Sequence, residues 1–278
     1  GAIGVTRGDA AQGKAIVRGN VPGEWRYWGA DAWSTRYSAL DQINARNFDS
    51  LQVAWTWKAG DFGEDEYYRT TPLFANGRVL TVATTRRYPI AIDPSNGQTL
   101  WSFKFDEGIR WQKAPRQFAG RGLSYWADGN DKRIIYFTTG YRMIALDART
   151  GNRIPTFGVN GAVDLKEDDD QVIDPMSSEI GIHSTPAIGR NTIVVGAAHK
   201  PGGTPTSKTN VKGYIRGFDV RTGKRKWIFH TVPKPGEFGL DTWLNDSWAY
   251  TGNTGAWGEI SIDEPAGVAY VGVEAPTG

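Results

Sequence analysis

Ala91-Ile92-Asp93-Pro94-Ser95-Asn96-Gly97-Gln98-Thr99-Leu100-Trp101 has the form apolar-x-Asp, three residues, Gly, three residues, Trp, and it recurs along the chain. The second copy runs from Ala145-Leu146-Asp147 to Gly151, with Pro155 where the tryptophan should stand. The third runs from Gly217-Phe218-Asp219 through Gly223 to Trp227. Each copy is a hairpin in chemical terms. The aspartate carboxylate accepts from turn amides, the glycine is free to take positive φ, and the tryptophan on the following strand offers a large face to a neighbour.

Working outward, each copy is preceded by a β-branched run: Arg78 to Thr84, Arg133 to Thr139 and Thr192 to Ala197. Their composition and length predict strands. Before each lies a further short strand and turn: Thr71 to Phe74 before Asn76-Gly77, Gly122 to Trp126 before Asp128-Gly129, and Ser184 to Ile188 before Gly189 to Asn191. The unit is therefore a four-stranded antiparallel meander, and its repetition predicts an all-β chain folded as a β-propeller. Leu51 to Trp57 reads as the end of a partial copy. Trp257 to Asp263 and Gly267 to Val273 read as the first two strands of another. The whole of 1–278 is thus expected to be one partial propeller of about three and a half blades with no second domain, and the ring is expected to be completed by further sequence or by a second chain. Val163 to Met176, with Glu167-Asp168-Asp169-Asp170, and His199 to Lys212 are expected to be inserted surface loops.

Composition narrows the function. The 278 residues carry 32 Lys plus Arg against 30 Asp plus Glu, a formal charge of +2 with no dense basic stripe, which argues against nucleic acid as a partner. No apolar run approaches the roughly 18 residues of a bilayer span, and Gly1-Ala2-Ile3-Gly4 lacks a signal-peptide pattern, so a soluble segment is expected. The absence of cysteine removes disulfides, thiolate metal sites and cysteine nucleophiles. The 12 tryptophans and 35 glycines suit tight turns between aromatic-rich strands.

The Ala-x-Asp-x-x-x-Gly-x-x-x-Trp repeat resembles the tryptophan-docking motif of pyrroloquinoline quinone (PQQ) dehydrogenases. Glu24 to Gly29, Trp33 to Ser38 and Leu51 to Trp57 resemble that family's opening segment and first docking strand. The resemblance covers nearly the whole chain. It implies an eight-bladed propeller, about half of it in this chain, that carries PQQ and calcium near its axis and lies in the periplasm. The implied reaction is oxidation of an alcohol, polyol or sugar hydroxyl, the small-molecule substrate, with electrons passed to an acceptor that the sequence does not identify.

Site residues carry over by motif. Arg121-Gly122-Leu123-Ser124-Tyr125-Trp126 resembles the family stretch whose arginine holds a quinone carboxylate; Arg121 also fits an exposed charge at a strand start. Gly252 to Gly258 resembles the segment whose tryptophan floors the quinone, and Trp257 also fits blade packing. His183, in Ile182-His183-Ser184-Thr185-Pro186, stands where the family places a hydroxyl that bonds the quinone, and it equally suits a satisfied strand-end histidine. His199 and His230 have no such context and read as loop or surface residues.

Departures from the family pattern are equally definite. Pro115-Arg116 occupies the place of an adjacent cysteine pair found in alcohol-oxidising members, and Arg216 to Lys224 looks closer to the sugar- and polyol-oxidising branch. Where a calcium-ligating glutamate is expected, the chain reads Ala197-Ala198-His199-Lys200. The expected asparagine ligand matches Ala275, beside Glu274, which leaves Glu274 as the candidate metal ligand. The family's catalytic aspartate belongs to later blades. Asp241, Asp246 and Asp263 sit in turn-like settings that suit structural roles. A non-catalytic propeller scaffold with the same repeats, and a family member that has lost metal and turnover, remain as alternatives.

Overall fold

The computed structural model describes residues 23–65, 67–200 and 208–277. Three four-stranded antiparallel sheets follow one another along the chain. The first holds β1 (Leu73–Ala75), β2 (Arg78–Ala83), β3 (Tyr88–Ile92) and β4 (Thr99–Ser102), and the second β5 (Ser124–Asp128), β6 (Asp131–Phe137), β7 (Arg142–Asp147) and β8 (Ala162–Asp164). A short ribbon pairs β9 (Ile180–Gly181) with β12 (Ala198–His199). The third sheet holds β10 (Ala187–Gly189), β11 (Thr192–Val195), β13 (Ile215–Asp219) and β14 (Arg225–Phe229), and β15 (Ser261–Asp263) pairs with β16 (Val268–Tyr270) in a two-stranded sheet. Only one short α-helix, α1 (Ile109–Gln112), interrupts the strands among the described residues.

The sheets are blades because each packs face to face on the next. Leu73, Leu80, Val82 and Ala91 of the first meet Leu123, Ile134, Tyr136 and Ile144 of the second. Ile135, Phe137 and Met143 meet Ile188, Ile193 and Phe218 of the third. Ala187, Val194 and Ile215 meet Ile260 and Ile262 of the fourth. A middle strand buried on both faces needs an unbroken apolar run, which is why Ile134 to Phe137 are all buried.

The repeated turn works as its chemistry demands. Gly97, Gly151 and Gly223 take φ of +76°, +74° and +70°. Their amides donate to the carbonyls of Asp93, Asp147 and Asp219 at 2.9, 2.8 and 2.8 Å. The aspartate carboxylates accept from Ser95 N, Thr150 N and Thr222 N at 2.8, 2.8 and 2.9 Å. Each turn glycine is also a landing place for the preceding unit. A Cβ on Gly97 would lie 2.7 Å from the Trp55 indole, and one on Gly151 would lie 2.6 Å from that of Trp101. Pro155 breaks the pattern in the second unit, and there β8 arrives late and Val163 with Phe157 covers Gly223 instead, at 2.7 and 3.3 Å from a built Cβ. Leu51 to Trp57 is not a strand; it docks through Trp55 Nε1 to Pro94 O at 2.8 Å and Trp57 Nε1 to Thr99 Oγ1 at 3.1 Å.

Three loop expectations are corrected. Within 163–176, Leu165, Lys166, Asp169 and Ile173 are buried because Arg216, itself fully buried, bonds Leu165 O at 2.7 Å and pairs with Asp169 Oδ1 at 2.9 Å. His199 is buried on β12. His230 is nearly so, set between Glu237 Oε1 at 2.7 Å and Asp170 Oδ2 at 3.2 Å and edge-on to Tyr214. Of the second insertion, 201–207 lies outside the described residues.

The opening segment ties the blades together from inside. Trp25 exchanges backbone bonds with Phe74 beside β1, Arg26 lies over the Tyr125 ring of the second blade, and Ile262 N donates to Ala32 O at 3.0 Å in the fourth.

Candidate functional site

The connection that leads into the first strand of each unit passes one end of the blades, so residues at equivalent places in four units are brought together. Arg69 precedes β1, Arg116 to Arg121 precede β5, His183 precedes β10 and Trp257 precedes β15. These residues line one cleft of about 420 Å³, joined by Phe118 and Gly120. Backbone and side-chain hydrogen bonds lash the connections to each other. Thr71 N donates to Arg121 O and Arg121 N to His183 O, both at 3.0 Å, and Thr185 Oγ1 donates to Glu259 Oε2 at 2.5 Å.

Arg121 stands between two glycines that the close approach requires. Gly120 has φ +73° with His183 O 3.2 Å from a built Cβ, and Gly122 has φ +138° with Thr71 O at the same distance. Beneath the cleft, buried Arg87 donates to Phe118 O and Arg116 O, both at 3.0 Å, and to Thr138 O at 3.2 Å. It therefore shapes the segment 116–118 from the neighbouring blade.

Charge in the cleft is one-sided. Among the described residues, Glu259 is the one carboxylate within 4 Å of the Arg69, Arg116 and Arg121 guanidiniums, 3.8 Å from Arg121 Nε. Burial pushes the Glu259 carboxyl above the usual carboxylate range, against its bonds from Thr185 and the pull of Arg121. Burial also pushes the His183 imidazole down to about 3, with Arg87, Arg116, Arg121 and Arg69 acting in the same direction. His183 is therefore neutral at physiological pH. Its Nδ1 is buried and has no hydrogen-bond partner among the described residues. The ring lies near-parallel to Trp257, 5.8 Å away at 19°, and edge-on to Phe118 at 5.3 Å. Trp257 keeps 41% of its surface exposed, so part of its indole is accessible to a ligand in the cleft it lines. Three guanidiniums, an open indole and an unsatisfied imidazole nitrogen fit a flat polyanion.

The structure thus brings Arg121, His183 and Trp257 into one cleft. Glu274 is placed differently: its Oε1 lies 2.7 Å from His199 Nδ1, and its amide is bonded to Gly255 O. Among the described residues no group of three or more carboxylates and histidines could hold a metal ion. A hard cation seeking roughly six to eight oxygens finds one carboxylate there, already engaged, so this donor set does not fit calcium. Asp241 and Asp246 lie exposed in 3-10 turns, and Asp263 Oδ1 accepts from Ala266 N at 3.0 Å, the structural role its setting suggests. Sequence reading missed Arg69, Arg116, Phe118 and Glu259. Their only local signal is position, just ahead of the first strand of a unit.

Residues 25–278 match the family model described as the glucose/ethanol/alcohol dehydrogenase β-propeller domain (PQQ). The chain belongs to this family. It is 29% identical over 290 residues to the dehydrogenase subunit of a quinone alcohol dehydrogenase from Gluconacetobacter polyoxogenes, covering 96% of this chain and 35% of that one. It is 31% identical over 266 residues to a quinate/shikimate dehydrogenase (quinone) from Acinetobacter baylyi, covering 81% of this chain and 30% of the other. In fold it is similar to the quinohemoprotein alcohol dehydrogenase ADH-IIG of Pseudomonas putida, with a TM-score of 0.73 at 24% identity over 92% of this chain and 35% of that one. The chain spans about a third of the length of these relatives.

Proposed function

We propose that this chain is the cofactor-bearing N-terminal part of a PQQ-dependent dehydrogenase that oxidises an alcohol, polyol or sugar hydroxyl, working in the periplasm and completed by further blades in cis or in trans. The observation that carries the reading is the convergence of Arg69, Arg116, Arg121, His183 and Trp257 on one cleft with a large excess of positive charge. A propeller scaffold gains nothing from three guanidiniums gathered around one cleft with a single carboxylate among the described residues, Glu259, within ion-pair reach, since like charges repel. Membership of a PQQ family and similarity to proteins named for alcohol, quinate and glucose oxidation support the reaction class.

When bound, the quinone would supply hydride-accepting chemistry that no side chain of this protein can provide. The chain's own residues would bind and orient. Arg121 presents a planar fork suited to a carboxylate, Trp257 presents its face to a planar ring, and neutral His183 offers Nδ1 as donor or acceptor according to tautomer. Phe118 and the buried Arg87 hold the segment 116–118 that closes one side.

The test is titration of the protein with PQQ, following tryptophan quenching and quinone absorbance, in wild type and in Trp257→Ala. Stoichiometric binding with quenching that is lost or strongly weakened in Trp257→Ala is the expected result. No binding by protein containing the complete ring would leave a propeller scaffold.

A further inference from the structure

Two features of the cleft and its surroundings have no stated partner in the arrangement described above: the guanidinium of Arg116, which lines the cleft, and the His199–Glu274 pair. Arg116 lines the cleft, and its Nε is buried with no hydrogen-bond partner among the described residues. Its backbone is pinned, because Arg87 Nη2 donates to Arg116 O at 3.0 Å. An arginine fixed at its Cα, partly desolvated and short of acceptors is prepared for an anion that arrives from outside. The Glu274 carboxylate acts on it electrostatically without forming an ion pair.

Glu274 itself is committed to His199. The imidazole is 3% exposed and packs between Gly213 and Gly255, where a Cβ would come within 2.8 and 3.1 Å of its Cε1. The imidazole is held in place by this packing. The segment that follows His199 brings no help, for Lys200 is a cation and Pro201 to Ser207 contains no carboxylate. A divalent cation at Glu274 would share the carboxylate with the imidazole and would find no second acid from this part of the chain.

We propose that Arg116, and not a divalent cation at Glu274, supplies the third positive contact of the cleft beside Arg69 and Arg121, so that the cleft captures an aromatic polycarboxylate without divalent metal. This rests on the quinone-binding reading above and goes beyond it by giving Arg116 a contact of its own in place of a metal. The expected division of labour is three guanidiniums for three carboxylates, with Arg121 held between Gly120 and Gly122 and Arg116 held by the bond from Arg87 to its carbonyl.

The experiment uses the protein with its ring complete, stripped with EGTA and checked for residual metal by mass spectrometry. PQQ is the probe, and its dissociation constant is read from tryptophan quenching in EGTA and in excess calcium, for wild type, Arg116→Gln and Arg116→Lys. The expected result is an affinity that changes by no more than about twofold between EGTA and calcium, falls by about tenfold or more in Arg116→Gln, and is partly kept in Arg116→Lys. A far-UV spectrum and thermal midpoint like those of wild type show that Arg116→Gln remains folded; if it does not, Arg116→Lys in EGTA carries the comparison. Binding that vanishes in EGTA and returns with calcium overturns the proposal and leaves the quinone reading standing, as does wild-type affinity in Arg116→Gln. Absence of PQQ binding in both media removes the quinone reading and the proposal with it.

Discussion

The backbone N–H of Arg121 donates to the carbonyl oxygen of His183 at 3.0 Å, joining the inner connections of two successive blades through main chain alone. The side chains take no part in this link, which survives their replacement. Arg121→Ala should therefore leave the urea midpoint close to wild type while weakening PQQ binding by about 10- to 100-fold, the worth of one bidentate charge-assisted contact. Fluorescence titration beside a denaturation curve checks both halves; a lowered midpoint with unchanged affinity would assign Arg121 a structural role.

His183 gives the protein an acid-side instability of known sign. Its folded value of about 3 lies below the ordinary 6.5, so between those values the unfolded chain binds more protons and stability falls as pH drops from 6.5 toward 3. Glu259, raised by burial, contributes with the opposite slope. Comparing wild type with His183→Gln cancels that contribution. The variant should show a shallower loss of urea midpoint between pH 7 and pH 4, and identical slopes would contradict the burial of a neutral imidazole.

Gly151 lies under the Trp101 indole at positive φ, where a methyl group has neither space nor a relaxed backbone. Gly151→Ala should cost about 1–3 kcal/mol. The same substitution at Gly129, also at positive φ but with nothing within 4 Å of a Cβ, should cost about 1 kcal/mol or less. Urea unfolding of the pair separates tryptophan docking from backbone strain.

Arg216 is fully buried against Asp169, the Leu165 carbonyl and the Tyr141 hydroxyl, and it fastens the 163–176 insertion to the third blade. Arg216→Ala strands a buried carboxylate and should destabilise by about 3–5 kcal/mol. Adding Asp169→Leu should recover part of that loss. Limited proteolysis is expected to cut within 163–176 in the single variant first.

Much of the fold was legible because the decisive signals are local. An aspartate and a glycine four residues apart make the same turn wherever they occur, and β-branched runs beside them make strands; Asp93, Asp147 and Asp219 required no knowledge of the remainder of the chain. Arg121 and Trp257 were legible through motif, and their meeting in one cleft follows from the repeat. His199 and His230 were misread as loop or surface residues because the carboxylates they meet across the fold, Glu274 and Asp170, lie 75 and 60 residues away. The strand replacing Pro155's missing tryptophan was hidden for the same reason, since Val163 reaches Gly223 only once two blades have packed.

The sequence by itself determined the blade: its turns, strand order and docking tryptophans all lie within windows of a few tens of residues, where hydrogen bonding and side-chain periodicity decide conformation. Tertiary structure decided the rest of the site. Arg69, Arg116, Glu259 and the engagement of Glu274 by His199 acquire meaning only when four blades, far apart in sequence, are stacked face to face by burial of their apolar surfaces and their inner connections are drawn to one end.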